Sequence, residues 1–307
     1  MQIVRYRHLD RTQVGVVDDA GVRPLAGLAG MAELLRLPLA ELRQRCEAAV
    51  ARPHDTVPLD RVRLLAPVDG RTEVWAAGVT YTVSKQARME ESERSASVYE
   101  LVYDAERPEL FCKAAAWRVV TDGEPVAVRA DSQVDVPEPE LALVLNAAGE
   151  TVGYLVCDDV SSRTIEGDNP LYLPQAKMYL GACALSTGIR PVWEVADPYA
   201  LTIELSIRRS GATVWSGTAS TGQLHRRLDD LASWLFRADL FPDGAVLATG
   251  TSLVPPLPFT LAEGDEVTIS IDEVGSLTNP VVRGLGAMRW LGDPARDSAG
   301  PDRKDLA

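Results

Sequence analysis

The chain has 307 residues, enough for one large domain with a small companion or for two ordinary domains. Hydrophobic residues make up 46% and charged residues 24%, as in a globular protein with a sizeable core, which argues against wholesale disorder. A formal net charge of −13 sets the chain against phosphate backbones and anionic lipid surfaces, so nucleic acid and membrane are not expected as main partners.

Residues 2–6 and 13–17 read as two short strands joined by a turn. Residues 31–50 carry Met31, Leu34, Leu35, Leu39, Leu42 and Val50 at helical spacing, and Pro38 splits them into two helices. An extended connector covers 57–68. A boundary near Leu65–Pro67 gives a small N-terminal α/β module (1–65), a main domain (66–290) and a polar tail (291–307) that frays from Pro294. From Trp75 the text is strand-rich: VWAAGV, PVAVR, ELALVLN, TVGYLVC, LTIELSI, ATVWS, AVLATG and EVTISI are separated by Gly, Pro, Asp and Asn. Helical patterns lie at 84–104, 174–182 and 223–237. The first of these is charge-dense and reads as a solvated helix or a segment that orders over substrate. Few strands alternate with helices, so a β-rich α+β fold is expected rather than a doubly wound sheet. Cys46, Cys112, Cys157 and Cys183 form no C-x-x-C pair and read as reduced thiols. The N-terminus has no apolar secretory stretch and no run reaches membrane-spanning length, so the expected location is cytoplasmic.

The sharpest local feature is PEPELALVL at 137–145. In a strand, Glu138 and Glu140 project from one face and Leu141, Leu143 and Leu145 from the other. Pro139 donates no ladder hydrogen bond, which marks a sheet edge or a strand start. After the turn NAAGE, TVGYLVC runs into Asp158 and Asp159. If 141–145 and 152–157 form a hairpin, Glu138, Glu140 and Asp159 converge. Two unit charges about 4 Å apart repel by roughly 4 kcal/mol at an effective dielectric of 20. Such a cluster requires protons or a cation, and all-oxygen ligation favours Mg²⁺, with Mn²⁺ or Ca²⁺ as substitutes.

With PEPELALVL, GYLVCDDVSSR, the lysine of LPQAK, LATGT and LAEGDEVTISIDEVGSLTN in this order, residues 75–285 resemble the fumarylacetoacetate hydrolase superfamily. The resemblance implies a mixed β-roll or barrel, a divalent metal on Glu138, Glu140 and Asp159, a small anionic 2-oxo acid substrate, and a homo-oligomer (a dimer or a dimer of dimers). VYDAERPELFCKAA, SSRTIEGDNPLYLPQAKMY and TGTSLVPPL resemble the branch containing 2-dehydro-3-deoxy-D-arabinonate dehydratase. That branch implies an active-site glutamate and lysine, at Glu109 and Lys177. The expected chemistry is loss of water from a 2-keto-3-deoxy sugar acid to give a 2,5-dioxo acid. One of the two residues takes a C3 proton and the other protonates the departing C4 hydroxyl.

Among supporting residues, Thr249, Gly250 and Thr251 form a turn suited to a substrate carboxylate. Ser161 and Arg163 bind substrate oxygens or brace the metal ligands. Lys113 neutralises the carboxylates or fixes Glu109. The family's hydrolases and decarboxylases carry a lid histidine and glutamate, and here the matching text is Thr80-Tyr81-Thr82-Val83-Ser84. The histidines are His8, His54 and His225, none of them in that stretch. An acylpyruvate or oxaloacetate hydrolase or decarboxylase is therefore the second reading, and an inactive metal-binding homologue the third.

Overall fold

The computed structural model describes residues 1–52, 56–81, 101–294 and 296. The N-terminal strands β1 (Gln2–His8) and β2 (Arg11–Asp18) pair as an antiparallel hairpin, extended by β3 (Gly21–Pro24). Helices α1 (Met31–Leu35) and α2 (Leu39–Val50) part at Pro38, which caps α2 where no amide hydrogen is needed. The carboxylate of Asp69 accepts the backbone N–H groups of Met31 and Ala32 at 3.0 and 2.6 Å and so caps α1 from outside. β4 (Arg63–Leu65) returns to pair with β1.

The chain continues with β5 (Glu73–Gly78), β6 (Glu109–Ala115), β7 (Val126–Val128), β8 (Asp135–Val136), β9 (Pro139–Leu145), β10 (Thr151–Asp159) and β11 (Ser161–Ser162). Two short helices come next, α3 (Arg163–Asp168) and α4 (Leu173–Lys177), then β12 (Cys183–Leu185) and β13 (Gly188–Pro191). The chain closes with β14 (Thr202–Arg209), β15 (Ala212–Ser220), α5 (Leu228–Leu235), β16 (Ala245–Ala248), β17 (Glu266–Ile271) and β18 (Gly275–Arg283).

These strands make a strand-rich α+β fold with open sheets. The larger runs β3-β2-β1-β13-β10-β9-β16-β5-β6, with β12 on β10 and β4 on β1. The smaller runs β15-β14-β17-β18-β7, and β11 pairs with β8 as a ribbon. The N-terminal strands belong to the large sheet, because β1 pairs with β13 at Ile3↔Ile189.

β9 lies at the centre of this arrangement, between β10 and β16. Leu141, Leu143 and Leu145 enter a core that also holds Ile203, Ile207 and Ile269 of the smaller sheet. Ala142 and Val144 enter a second core with Leu34 and Leu35 of α1. Burial on both faces explains why the segment is apolar at nearly every position rather than alternating. Pro139 is thus a strand start and not a sheet edge, since both neighbours of β9 are present.

Other expectations shift in detail. The helix expected at 223–237 shortens to Leu228–Leu235, because Leu224 bridges to Tyr81 and His225 donates its N–H to the Thr80 carbonyl at 2.9 Å. The one expected at 174–182 ends at Lys177, and Gly181 follows at φ +82°. Of 84–104, residues 101–104 are helical, and the rest lies outside the described residues, as do Thr82, Val83, Ser84, His54 and most of the tail.

Asp243, ahead of β16, ties the segment after α1 to the one before β5. It accepts from Arg36 at 2.8 Å, from the Arg71 backbone at 2.9 Å and from the Arg71 guanidinium at 3.3 Å. The Arg71 guanidinium above all, then the Arg71 backbone and Arg36, hold its carboxyl down at about 2. A folded-state value below the unfolded one means stabilisation that is complete above about pH 4 and lost as pH falls towards 2. Both arginines are largely exposed and screened, so Asp243→Asn should cost only about 1–2 kcal/mol at pH 7. Urea unfolding of both proteins between pH 7 and 2 checks this, with the difference shrinking at the acid end.

Candidate active site and metal centre

The β9–β10 hairpin sets the site. Its register places Cys157 opposite Glu140 and Asp158 opposite Pro139, so the start of β9 meets the end of β10. One carboxylate oxygen from each of Glu138, Glu140 and Asp159 lies within 4.8 Å of the others, and all three residues are buried. Mutual repulsion in a dry site is visible in Glu140. Burial first, then Asp159 and Glu138, raise its carboxyl well above the ordinary range. The donor set is all oxygen, the carboxylates are close, and their repulsion is relieved by positive charge, so these residues fit a hard divalent cation.

The protein's own cations already crowd the triad. Lys177, at the end of α4, places Nζ 2.6 Å from Glu138 Oε2, 2.9 Å from Asp159 Oδ2 and 2.5 Å from Ser161 Oγ. Its ammonium also lies 5.9 Å from the centre of the Phe111 ring. Lys113 pairs with Asp159 Oδ1 and donates to the carbonyls of Val160 (3.0 Å) and Lys177 (2.6 Å). Those three acceptors match its three N–H groups, so Lys113 braces the site and has no donor left for a substrate. Arg163, the first residue of α3, reaches Glu138 Oε1 at 3.3 Å and Glu166 at 3.7 Å.

Strand geometry explains how Lys113 arrives. In the β5–β6 ladder Trp75 faces Cys112 and Val74 faces Ala114, so Lys113 is the extra residue of a β-bulge. A bulge re-aims a side chain, here into the carboxylates. At the other end of β6, Glu109 pairs with Gly78. Its carboxylate lies 1.9 Å from where a Gly78 Cβ would stand, so only glycine admits it there. Val79 follows at φ +54°, a conformation that costs a β-branched residue roughly 1–3 kcal/mol.

The Thr249–Thr251 turn follows β16, which runs parallel to β5 and therefore ends beside it. Gly250 donates its N–H to Glu140 Oε2 at 2.7 Å. Its φ of +90° and the Thr80 hydroxyl, 1.9 Å from a would-be Cβ, both require glycine. Thr249 Oγ1 donates to the Leu141 carbonyl at 2.7 Å, which occupies its hydroxyl proton inside the fold. Thr251 lines the pocket with Gly250, Phe111, Gly78 and the three carboxylates. Ser161 Oγ donates to the Asp159 carbonyl at 2.8 Å and is fully buried, so it too braces the ligands.

The structure therefore brings Glu138, Glu140, Asp159, Lys177, Lys113, Ser161 and Arg163 into one cluster, with Gly250 and Thr251 on its wall and Glu109 at the Gly78 side. Four participants were not singled out from sequence: Gly78, Phe111, Glu166 and Thr80. Phe111 was legible in principle, being two residues from Glu109 and so on the same face of β6. Asp158, ambiguous in sequence, points away from the triad's face of β10 and accepts the Glu138 N–H at 3.0 Å. Burial first of all pushes its carboxyl up to about 7.

Residues 73–282 match the family model described as fumarylacetoacetate (FAA) hydrolase C-terminal, and residues 1–67 match one described as Rv2993c-like, N-terminal. A protein of Haloferax volcanii named probable 2-keto-3-deoxyxylonate dehydratase is 44% identical over 270 residues, covering 86% of this chain and 89% of that one. The 2-dehydro-3-deoxy-D-arabinonate dehydratase of Saccharolobus solfataricus is 41% identical over 226 residues, 73% of this chain and 76% of that one. The solved structure of a 2-keto-3-deoxy-D-arabinonate dehydratase complexed with magnesium and 2,5-dioxopentanoate superposes with a TM-score of 0.76 at 33% identity, covering 92% of this chain and 99% of that one.

Asp158 gives a pH prediction for the metal-free protein. Its folded-state value, about 7, lies above the unfolded one, so the folded state holds the proton more tightly and stability falls as pH rises from about 4 to 7. Asp158→Asn keeps an oxygen for the Glu138 N–H and removes the titration. Urea unfolding in EDTA should show a flatter dependence between pH 4 and 7 than the unsubstituted protein, and an unchanged slope would refute the assignment.

Proposed function

This chain belongs to the fumarylacetoacetate hydrolase family, and on that premise we propose that it is a divalent-metal-dependent dehydratase of a 2-keto-3-deoxy sugar acid, releasing water and a 2,5-dioxo acid. The observation that carries the reading is Lys177, a buried lysine in direct contact with two of the three clustered carboxylates. Relatives at 44% and 41% identity carry dehydratase names, and the neighbour with a bound dioxopentanoate favours a five-carbon substrate. Among the described residues no histidine lines the pocket, which weighs against the hydrolase or decarboxylase reading.

Glu138, Glu140 and Asp159 would hold the cation, magnesium by preference with manganese or calcium as substitutes. When bound, the cation would supply Lewis acidity to the substrate's 2-oxo acid group and so make the C3 protons more acidic. Lys113, Ser161 and Arg163 keep the carboxylates in place through the charge change. Lys177 and Glu109 move the protons: one takes a proton from C3, and the other delivers a proton to the C4 hydroxyl as the C4–O bond breaks, leaving a C3=C4 double bond. The 5-hydroxy enone then tautomerises to the 2,5-dioxo acid by losing protons from C5 and O5 and gaining them at C3 and C4. Lys177 serves as base only in its neutral form, and Glu109 as acid only when protonated. Gly250 holds Glu140 through its N–H, and Thr251 stands beside it on the pocket wall. Cytoplasmic location and a homo-oligomeric state, a dimer or a dimer of dimers, complete the reading.

The test is incubation with MgCl₂ and a panel of 2-keto-3-deoxy pentonates and hexonates, acetylpyruvate and oxaloacetate, followed by mass spectrometry. The expected outcome is loss of one water from a pentonate, stopped by EDTA and reduced by about 10²-fold or more in Glu140→Gln and Lys177→Ala. Release of pyruvate or CO₂, with no dehydration of any sugar acid, would overturn the reading.

A further inference from the structure

The β5–β6 ladder ends at the pair Gly78↔Glu109, and that end has little local support. Among the described residues β6 is the last strand of the large sheet, so β5 is its one strand partner there. Residues 79–108 separate the two strands, so no tight turn closes the ladder. Val79, directly after β5, keeps a left-handed backbone that its side chain disfavours and that persists only if its surroundings fix it.

One short stretch, Leu224–Arg226, grips both sides of this end. Towards β5, Leu224 bridges Tyr81 and the His225 N–H bonds the Thr80 carbonyl at 2.9 Å. Towards β6, the Arg226 guanidinium donates to three backbone carbonyls: Val102 at 2.9 Å, Ala105 at 2.6 Å and Glu106 at 3.1 Å. The His225 ring stacks on Tyr103 with centroids 4.2 Å apart. Arg226 is 8% exposed, and a buried guanidinium is tolerated only when its N–H groups are satisfied, as these carbonyls do. Between the clamped Glu106 carbonyl and Glu109 stand only Arg107 and Pro108, and the proline ring fixes one φ. Holding Glu106 therefore sets where the Glu109 backbone starts.

We propose that Arg226 is a positioning residue for Glu109, clamping the entry of β6 so that the Glu109 carboxylate stays over Gly78. The proposal rests on the reading of Glu109 as a proton-transfer group. A lysine carries a comparable charge but lacks the planar fork that reaches three carbonyls, so charge alone does not reproduce the clamp.

The experiment compares Arg226→Met, Arg226→Lys, Glu109→Gln and the Arg226→Met/Glu109→Gln pair in dehydration kinetics, Mg²⁺ titration calorimetry and amide exchange over residues 109–112. Arg226→Met should lower kcat by about 10–100-fold, the scale of a small misplacement, with KM and Mg²⁺ affinity within about 2-fold. Exchange over 109–112 should quicken, and Arg226→Lys should recover part of the loss. Added to Glu109→Gln, Arg226→Met should cost no more than about 2-fold further. An equal loss in both backgrounds, unchanged exchange over 109–112, or a matching fall in Mg²⁺ affinity would each overturn the positioning role alone. A fully active Glu109→Gln would instead remove Glu109 from the reaction and the positioning role with it.

Discussion

Three carboxylates, each about fully buried, share a space in which one oxygen of each lies within 4.8 Å of the rest. At such distances like charges repel by several kcal/mol even at a generous effective dielectric, roughly 3–4 kcal/mol per pair. Much of the surrounding architecture supplies opposing positive charge or hydrogen bonds to this cluster. A bulge turns Lys113 inward, α4 ends on Lys177, α3 begins on Arg163, and a left-handed glycine aims its N–H at Glu140. The hairpin that creates the repulsion is itself held between β16 and the rest of the large sheet, so the carboxylates cannot spread apart.

The charge arrangement also separates the roles of residues that look alike in type. Lys113 and Lys177 both touch Asp159, yet Lys113 spends its remaining N–H groups on two carbonyls, whereas Lys177 contacts two carboxylates and a hydroxyl at the pocket. The first is committed to structure, and the second faces the pocket, where the proposed reading puts a proton-transfer group. Asp158 and Asp159 are neighbours in sequence but project from opposite faces of β10. One joins the carboxylate cluster, and the other anchors the Glu138 backbone.

Parallel pairing of β5 with β16 accounts for the pocket wall. Both strands end at the same edge, so the Gly78–Thr80 and Thr249–Thr251 segments arrive side by side, and the Thr80 hydroxyl bonds the Thr249 carbonyl at 2.6 Å. The Glu109 carboxylate beside Gly78 and the Thr80 hydroxyl beside Gly250 account for the two glycines, which lie with the left-handed backbone of Val79 at the carboxylate pocket.

By itself the sequence determined the strand-rich α+β class, the break between α1 and α2, the β9–β10 hairpin and the convergence of Glu138, Glu140 and Asp159. These follow from local rules: period-two projection, turn residues and the missing proline N–H act over a few residues and need no knowledge of distant partners. The resemblance of VYDAERPELFCKAA and LPQAK to a known family added Glu109 and Lys177, which no local rule selects. Tertiary structure alone decided that β9 is central rather than an edge, that Lys113 and Thr249 face inward to their acceptors, and that His225 leaves its helical pattern to meet Thr80. Each of these depends on residues far away in sequence, and the pairing that fixes them exists only once the sheets have packed.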